Sequence, residues 1–290
     1  FLLLQAYMSR IDLPITDYVG DQTSVLDQGI RVIQASIDVM AELGYIPACQ
    51  MLMTLLQCIK SARWPEDHPL SILPGVPTDK PRSGLPGTLV SLSSQPAGAV
   101  AALVKKLNLP FNFTRITSQL PQLSVSVGSV SAKGIEVSMT RRNQPTTPEC
   151  KVYSPRFPKP QTEGFFLIVC SALSNGMDGE LLGLKRVSWP PVSKRNGNGN
   201  GKGRDNHGAG SSRGGPVSDN KGGMLTVRSN VKFPEGILAG PTSTSTARVN
   251  IRVISDSYIG MAWTVSNVEV TLDTGIETQT VAESSVPAKD

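Results

Sequence analysis

Residues 23–75 read TSVLDQGIRVIQASIDVMAELGYIPACQMLMTLLQCIKSARWPEDHPLSILPG, and their pattern predicts two consecutive helices in the N-terminal part of the chain. Five large apolar residues recur at intervals of four, three, four and three, which is the period of one helix face. They are Leu26, Ile30, Ile33, Ile37 and Met40. Gly44 fits a left-handed residue that ends this helix, and Pro47 fits the first turn of the next. The second helix should end near Arg63, because Trp64 precedes a proline.

The first helix carries a second apolar line, formed by Val25, Val32 and Val39. A helix that is apolar over more than half of its circumference is typical of a buried position, so the pattern predicts packing on two sides. The remaining polar strip contains Ser24, Asp27, Gln28, Arg31, Gln34 and Asp38. Two interpretations of Arg31 stay open. It pairs with Asp27 one turn back on a face open to water, or the strip binds a polar ligand.

The pattern changes from helical to strand-like after one short predicted helix at residues 99–107. Seven segments rich in Val, Ile, Phe and Thr follow, separated by turn residues, which predicts a two-sheet sandwich. They are residues 123–127, 135–141, 164–172, 181–189, 224–233, 246–255 and 263–272. Residues 193–223 interrupt the sandwich with ten glycines and almost no apolar side chains, so they predict a disordered insertion. The polar tail 275–290 is expected to fray.

The charge of the chain is unevenly distributed. The net charge is +5, but residues 193–223 hold six basic and two acidic side chains, and the rest of the chain holds 22 basic and 21 acidic ones. The predicted folded part is therefore nearly neutral, and its composition does not indicate a large phosphate-binding face.

Several kinds of chemical site are excluded by spacing. The glycine-rich run at 197–205 lacks the Ser or Thr that a phosphate loop needs after its lysine, since Gly203 follows Lys202. The four cysteines have no CxxC spacing and the two histidines are far apart, which predicts no metal site and reduced, buried thiols. The fragment alone should have no active site. Its apolar runs are too short to span a membrane, and Phe1 in place of an initiator Met indicates a piece of a longer protein.

Five segments resemble, in order, the C-terminal unit shared by Ski-family RNA helicases and an endoplasmic-reticulum translocation subunit, known as the Sec63 domain. They are LLLQAYMSRIDLP (2–14), VLDQGIRVIQASIDV (25–39), ARWPEDHPLSILPG (62–75), TEGFFLIV (162–169) and ISDSYIG (254–260). In sequence, these segments are more similar to the helicases of the activating signal cointegrator complex and of fungal ribosome quality control than to the spliceosomal helicase.

The resemblance implies a multidomain α + β architecture. A helical bundle would occupy residues 1–75, with a ratchet helix at 24–44. A small helix–loop–helix would follow at 76–121. An immunoglobulin-like (fibronectin type III-like) β-sandwich would occupy 122–274.

The resemblance also implies that Gln28, Arg31 and Gln34 contact single-stranded RNA or DNA beneath helicase motor domains, on an open face of the bundle. ATP and Mg would bind in those motor domains, outside this chain. The other implied partners are helicase-complex subunits and the ribosome, in clearance of stalled ribosomes, with no membrane. The implied location is cytoplasmic, with the nucleus as an alternative. Two rival interpretations stay open: a protein-interaction scaffold of the spliceosomal type, and a translocation subunit of the endoplasmic reticulum.

Overall fold

The computed structural model describes residues 1–79, 83–131, 133–145, 149–189, 217–219, 225–234 and 246–271. Within these ranges the chain is a mixed α/β protein with six α-helices and two antiparallel sheets. The helices are α1 (Leu2–Met8), α2 (Thr16–Glu42), α3 (Ile46–Ser61), α4 (Leu89–Ser93), α5 (Ala97–Leu107) and α6 (Phe113–Gln119), with a 3-10 turn at Pro69–Ile72. The strands are β1 (Leu123–Ser131), β2 (Gly134–Arg141), β3 (Gly164–Ala172), β4 (Asp178–Ser188), β5 (Val217–Asp219), β6 (Leu225–Lys232), β7 (Thr246–Ser255) and β8 (Ala262–Thr271).

The predicted helix pair is present as α2 and α3, which pack against each other. Gly44 has the left-handed backbone (φ 73°) that the C-terminal signal predicts. However, α2 begins at Thr16 rather than near residue 24. Its first two turns lack the regular apolar period, so the sequence pattern alone does not show them. Asp17 in the first turn suits the positive end of the helix dipole.

One face of α2 is buried, not two. Leu26, Ile33 and Ile37 lie in the core of the helical layer, whereas Val25, Val32 and Val39 are exposed by 36%, 64% and 53%. The prediction of two-sided packing is therefore wrong for the described residues. The physical reason is that α3 and the sheets cover only one side of α2, and the valine line points away from them.

The turn that follows α3 is held by two arginines and an aspartate. Arg10 Nη1 and Arg63 Nη1 each donate to the carbonyl oxygen of Ala62, at 3.0 Å. Ala62 is the left-handed cap of α3 (φ 52°), so both cations lie at the negative end of that helix. Asp67 Oδ2 accepts from Arg10 Nη1 and from the backbone N–H of Trp64. These contacts fix the tryptophan turn relative to α1.

The strands form two four-stranded sheets with the orders β1-β2-β6-β5 and β4-β3-β7-β8. All seven predicted strand segments lie within strands of the structure or extend past a strand end by one residue. The prediction of disorder throughout 193–223 is wrong at Val217–Asp219, which pairs as β5 with β6. The rest of that segment, and the tail 275–290, lie outside the described residues.

β3 is buried on both faces, which explains its uninterrupted apolar run. Phe165, Leu167 and Val169 belong to the core between the two sheets. The alternating residues Phe166, Ile168 and Cys170 pack instead with α1, α2 and α3. This one strand therefore joins the helical layer to the two-sheet unit.

The three short helices α4, α5 and α6 close one end of the core between the sheets. Leu92, Val100, Phe113 and Ile116 are buried in the same apolar cluster as the strands. The sequence predicts α5 but not α4 or α6, because these helices are only five and seven residues long and lie among prolines and polar residues. The domain boundaries at 75, 121 and 274 stay predictions.

Candidate nucleic-acid interface

The outward side of α2 carries the residues predicted to contact nucleic acid. Gln28 and Arg31 are exposed, as the open-face prediction requires, and Gln34 is half-buried. At 100° per residue, Arg31 lies on the side of the helix away from Leu26, Ile33 and Ile37. The valine line lies about 100° further around the helix, beyond Gln28, and its Val32 is 64% exposed. The outward face of α2, meaning Gln28, Arg31 and the line Val25, Val32 and Val39, therefore combines one cation with an apolar surface.

The ion pair between Arg31 and Asp27 is not formed. The carboxylate of Asp27 accepts instead from Lys159 Nζ, in the connection between β2 and β3. Arg31 has no ion-pair partner within the part of the chain that the structure describes. The Arg31–Asp27 pair of the first interpretation is therefore wrong, and Arg31 is exposed.

The acidic flank of α2 faces the two-sheet unit. Asp38 pairs with Arg186 of β4, as Asp27 does with Lys159. Gln34 lies between these two aspartates along the helix, which explains why it is half-buried and not fully open. The polar strip thus divides. Gln28 and Arg31 face outward, while Asp27, Gln34 and Asp38 lie at the margin with the sheets.

A buried polar contact that sequence reasoning missed fixes the position of α3, and through it α2. Lys60 Nζ donates to Asp256 Oδ2 at 2.6 Å, and the two side chains are only 5% and 14% exposed. Gln57 Nε2 donates to the carbonyl oxygen of Ser255. Asp256 also accepts from the backbone N–H of Gly164 at 3.3 Å. One indication of this contact is present in the sequence, the segment ISDSYIG, which contains Asp256 and resembles the family. That resemblance does not show that Lys60 is the partner of Asp256.

A second buried ion pair lies away from α2, between β2 and the start of β3. Arg141 Nη2 donates to Glu163 Oε1 at 3.0 Å, and both side chains are almost fully buried. Trp189 Nε1 donates to Glu163 Oε2 at 2.8 Å. Burial raises the pKa of the Glu163 carboxyl to about 7, although Arg141 and the Trp189 hydrogen bond lower it. All of its partners are structural, so the arrangement has the features of a packed polar core and not of a catalytic acid.

The four cysteines are free and buried, as predicted. Burial raises the pKa of Cys58 to about 11 and that of Cys170 to about 12, so these thiols stay protonated at neutral pH. Among the described residues, no group of His, Cys, Asp or Glu side chains is placed to hold a metal ion. No described helix combines the length and the apolarity that crossing a bilayer requires.

Comparison with known proteins adds to this geometry. Residues 1–194 match the family model described as the Sec63 Brl domain. The chain belongs to this family. The match covers α1 through β4 and extends to just beyond Trp189. It therefore includes α2, α3 and the double-sided strand β3.

Curated proteins similar to this Sec63 domain include two that are named as helicases. The RQC trigger complex helicase SLH1 of Saccharomyces cerevisiae is 55% identical over 76 residues, 26% of this chain and 4% of that protein. Human activating signal cointegrator 1 complex subunit 3 is 43% identical over 75 residues, 26% of this chain and 3% of that protein. The Arabidopsis thaliana helicase DExH14 is 29% identical over 210 residues, 65% of this chain. The chain spans only 9% or less of the length of these three relatives. The resemblance to the Sec63 unit of Ski-family helicases is confirmed.

Proposed function

We propose that this chain is the C-terminal accessory unit of an ATP-dependent RNA helicase that acts in ribosome-associated quality control. In this role it braces the motor and guides single-stranded RNA along α2 through Gln28, Arg31 and Gln34. ATP and Mg bind in the motor domains, and the helicase works in the cytoplasm with complex subunits and the stalled ribosome. The name of the yeast relative, an RQC trigger complex helicase, supports the quality-control assignment.

The observation that carries the proposal is the two-sided character of α2. This helix of 27 residues is fixed from behind by the core and by two ion pairs with the two-sheet unit. Its outward side carries Arg31, which has no ion-pair partner among the described residues, and, further around the helix, three exposed valines. A cation that projects from a rigid helix suits a phosphate contact, which positions a strand without reading its sequence. The valine line suits packing against a further protein domain such as the motor.

The strand order supports an immunoglobulin-like assignment for the two-sheet unit. With the strands lettered in chain order, and β4 as an added strand beside the third, the sheets read A-B-E-D and C′-C-F-G. The first order and the core of the second are those of the immunoglobulin constant-type sandwich. In this proposal the sandwich offers a docking surface for motor domains or complex subunits.

The test is fluorescence anisotropy with single-stranded RNA over a salt series. Arg31→Ala is expected to weaken binding about tenfold and to lower the salt slope by about one, because it removes one charge-assisted phosphate contact. Arg248→Ala, at an exposed arginine of β7 that already pairs with Glu269, is the matched control and should leave affinity unchanged. A chain that lacks residues 193–216, with β5 kept, should still bind. Binding lost only with that deletion would assign RNA contact to the basic segment instead.

The second candidate function is a protein scaffold that does not touch nucleic acid. The near-neutral charge of the chain outside residues 193–223 favours it. The same experiment separates the two functions, since a scaffold would show no RNA binding in either chain at low salt.

A further inference from the structure

A groove lies between the C-terminal end of α2 and strand β4. Its volume is about 740 Å³, and its walls come from Asp38 and residues 41–44 at the C-terminal end of α2, from residues 180–184 of β4 and from Pro234. None of these wall residues takes part in the RNA contact proposed above.

The charge of the groove is negative. Glu42 on α2 and Glu180 on β4 are both exposed, and neither has an ion-pair partner among the described residues. The last turn of α2 contains no basic residue, so the partial negative charge of the helix C-terminus adds to these carboxylates. Asp38 is the third acid in the wall and is already paired with Arg186. Among the described residues, no Lys or Arg lines the groove.

The groove also offers apolar surface and an outer strand. Leu43 is 58% exposed, and Leu181 and Leu184 are half-buried. In the described sheet, β4 is the outer strand and pairs with β3 alone. Outer strands present unpaired backbone groups that an added extended segment can bind, while pockets beside the strand select its side chains. Five residues of β4 line the groove, which corresponds to about 16 Å of strand.

We propose that this groove receives an extended segment of a partner protein in which apolar residues alternate with Lys or Arg. The apolar side chains would pack on Leu43, Leu181 and Leu184, and the cations would lie against Glu42, Glu180 and the end of α2. The negative wall disfavours RNA at this place, so the groove is separate from the outward face of α2.

The test uses the whole chain and a fluorescein-labelled peptide of ten residues with alternating Leu and Lys. We expect saturable binding that weakens with salt, and at least tenfold weaker binding by Glu42→Lys/Glu180→Lys. Asp21→Lys reverses one exposed acid at the other end of the same helix and should leave affinity unchanged. Leu43→Ser should weaken binding without removing its salt dependence. All four positions are exposed, so circular dichroism should show an unchanged fold.

Three results would overturn the proposal. The first is equal binding by the wild type and the double charge reversal, or equal loss with Asp21→Lys, which would show non-specific attraction of the peptide. The second is equally tight binding of a peptide with Glu in place of Lys. The third is self-association of the wild type in sedimentation that the double reversal abolishes, which would assign the groove to a second copy of this chain.

Discussion

Glu163 shows how a single buried carboxylate can make the stability of this domain depend on pH. Burial raises the pKa of the Glu163 carboxyl in the folded state from 4.5 to about 7. Between these two pH values the folded state therefore keeps a proton that the unfolded chain has released. Stability from this group is complete below about pH 4.5 and is lost as the pH rises towards about 7. The expected loss over that window is a few kcal/mol, since each pH unit contributes at most about 1.4 kcal/mol.

Urea unfolding at a series of pH values from 5 to 8 measures this effect. The free energy of unfolding of the wild type should fall across the series, and Glu163→Gln should remove most of that slope because the amide does not titrate. Glu136→Gln, at a half-buried glutamate on strand β2, is the control and should leave the pH slope of the unfolding free energy unchanged. A flat profile from pH 5 to 8 would contradict this prediction, because it would mean that the Arg141 guanidinium holds Glu163 ionised in the folded state.

Helix α3 is the element that locks the helical layer onto the sheets, and its polar residues are responsible. Lys60→Met is expected to lower the free energy of unfolding by about 3 kcal/mol, because it leaves the poorly exposed Asp256 carboxylate without its cation. Asp256→Asn should show a similar cost. The double variant should be less destabilised than the sum of the two, since neither charge then remains unpaired.

Denaturant unfolding of the two single variants and the double variant gives the coupling energy. Lys105→Met, at an exposed lysine of α5, should change stability by less than about 0.5 kcal/mol and serves as the control. Additive losses in the cycle would show that Lys60 and Asp256 do not stabilise each other across the interface.

The elements differ in how far their sequence predicts them. Strands β3 and β7 have the predicted bounds. A long apolar or alternating run indicates a strand whatever packs around it. The start of α2 and the existence of α6 were missed, since short or polar helical turns depend on tertiary packing. For the candidate site, the spacing predicted that Gln28 and Arg31 share a polar strip. It did not predict that Asp27 would pair with Lys159 and not with Arg31, because Asp27 and Lys159 are 132 positions apart in the chain.

The charge of the whole molecule is less uniform than its net value indicates. No Asp or Glu occurs between Asp79 and Glu136, although six Lys and Arg residues do. Of these, Lys105, Lys106 and Arg115 are exposed on α5 and α6. Phe111, in the connection between these helices, is 96% exposed, although Leu109 and Phe113 on either side of it are buried. The short helices therefore form an end of the molecule that is cationic and carries one aromatic ring in solvent.

If RNA crosses this domain, that cationic end should contribute to binding alongside α2. Lys105→Gln/Lys106→Gln is expected to weaken single-stranded RNA binding and to lower the salt slope by about two, because two phosphate contacts are removed. Phe111→Ser should weaken binding about fivefold or more with an unchanged salt slope, since stacking on a base releases no counterion.

Anisotropy over a salt series measures both effects. Lys151→Gln/Arg248→Gln removes two exposed cations that already pair with Glu149 and Glu269, and should change neither value. Equal weakening by both double variants would show that RNA responds only to net charge, and that this end of the molecule has no particular role.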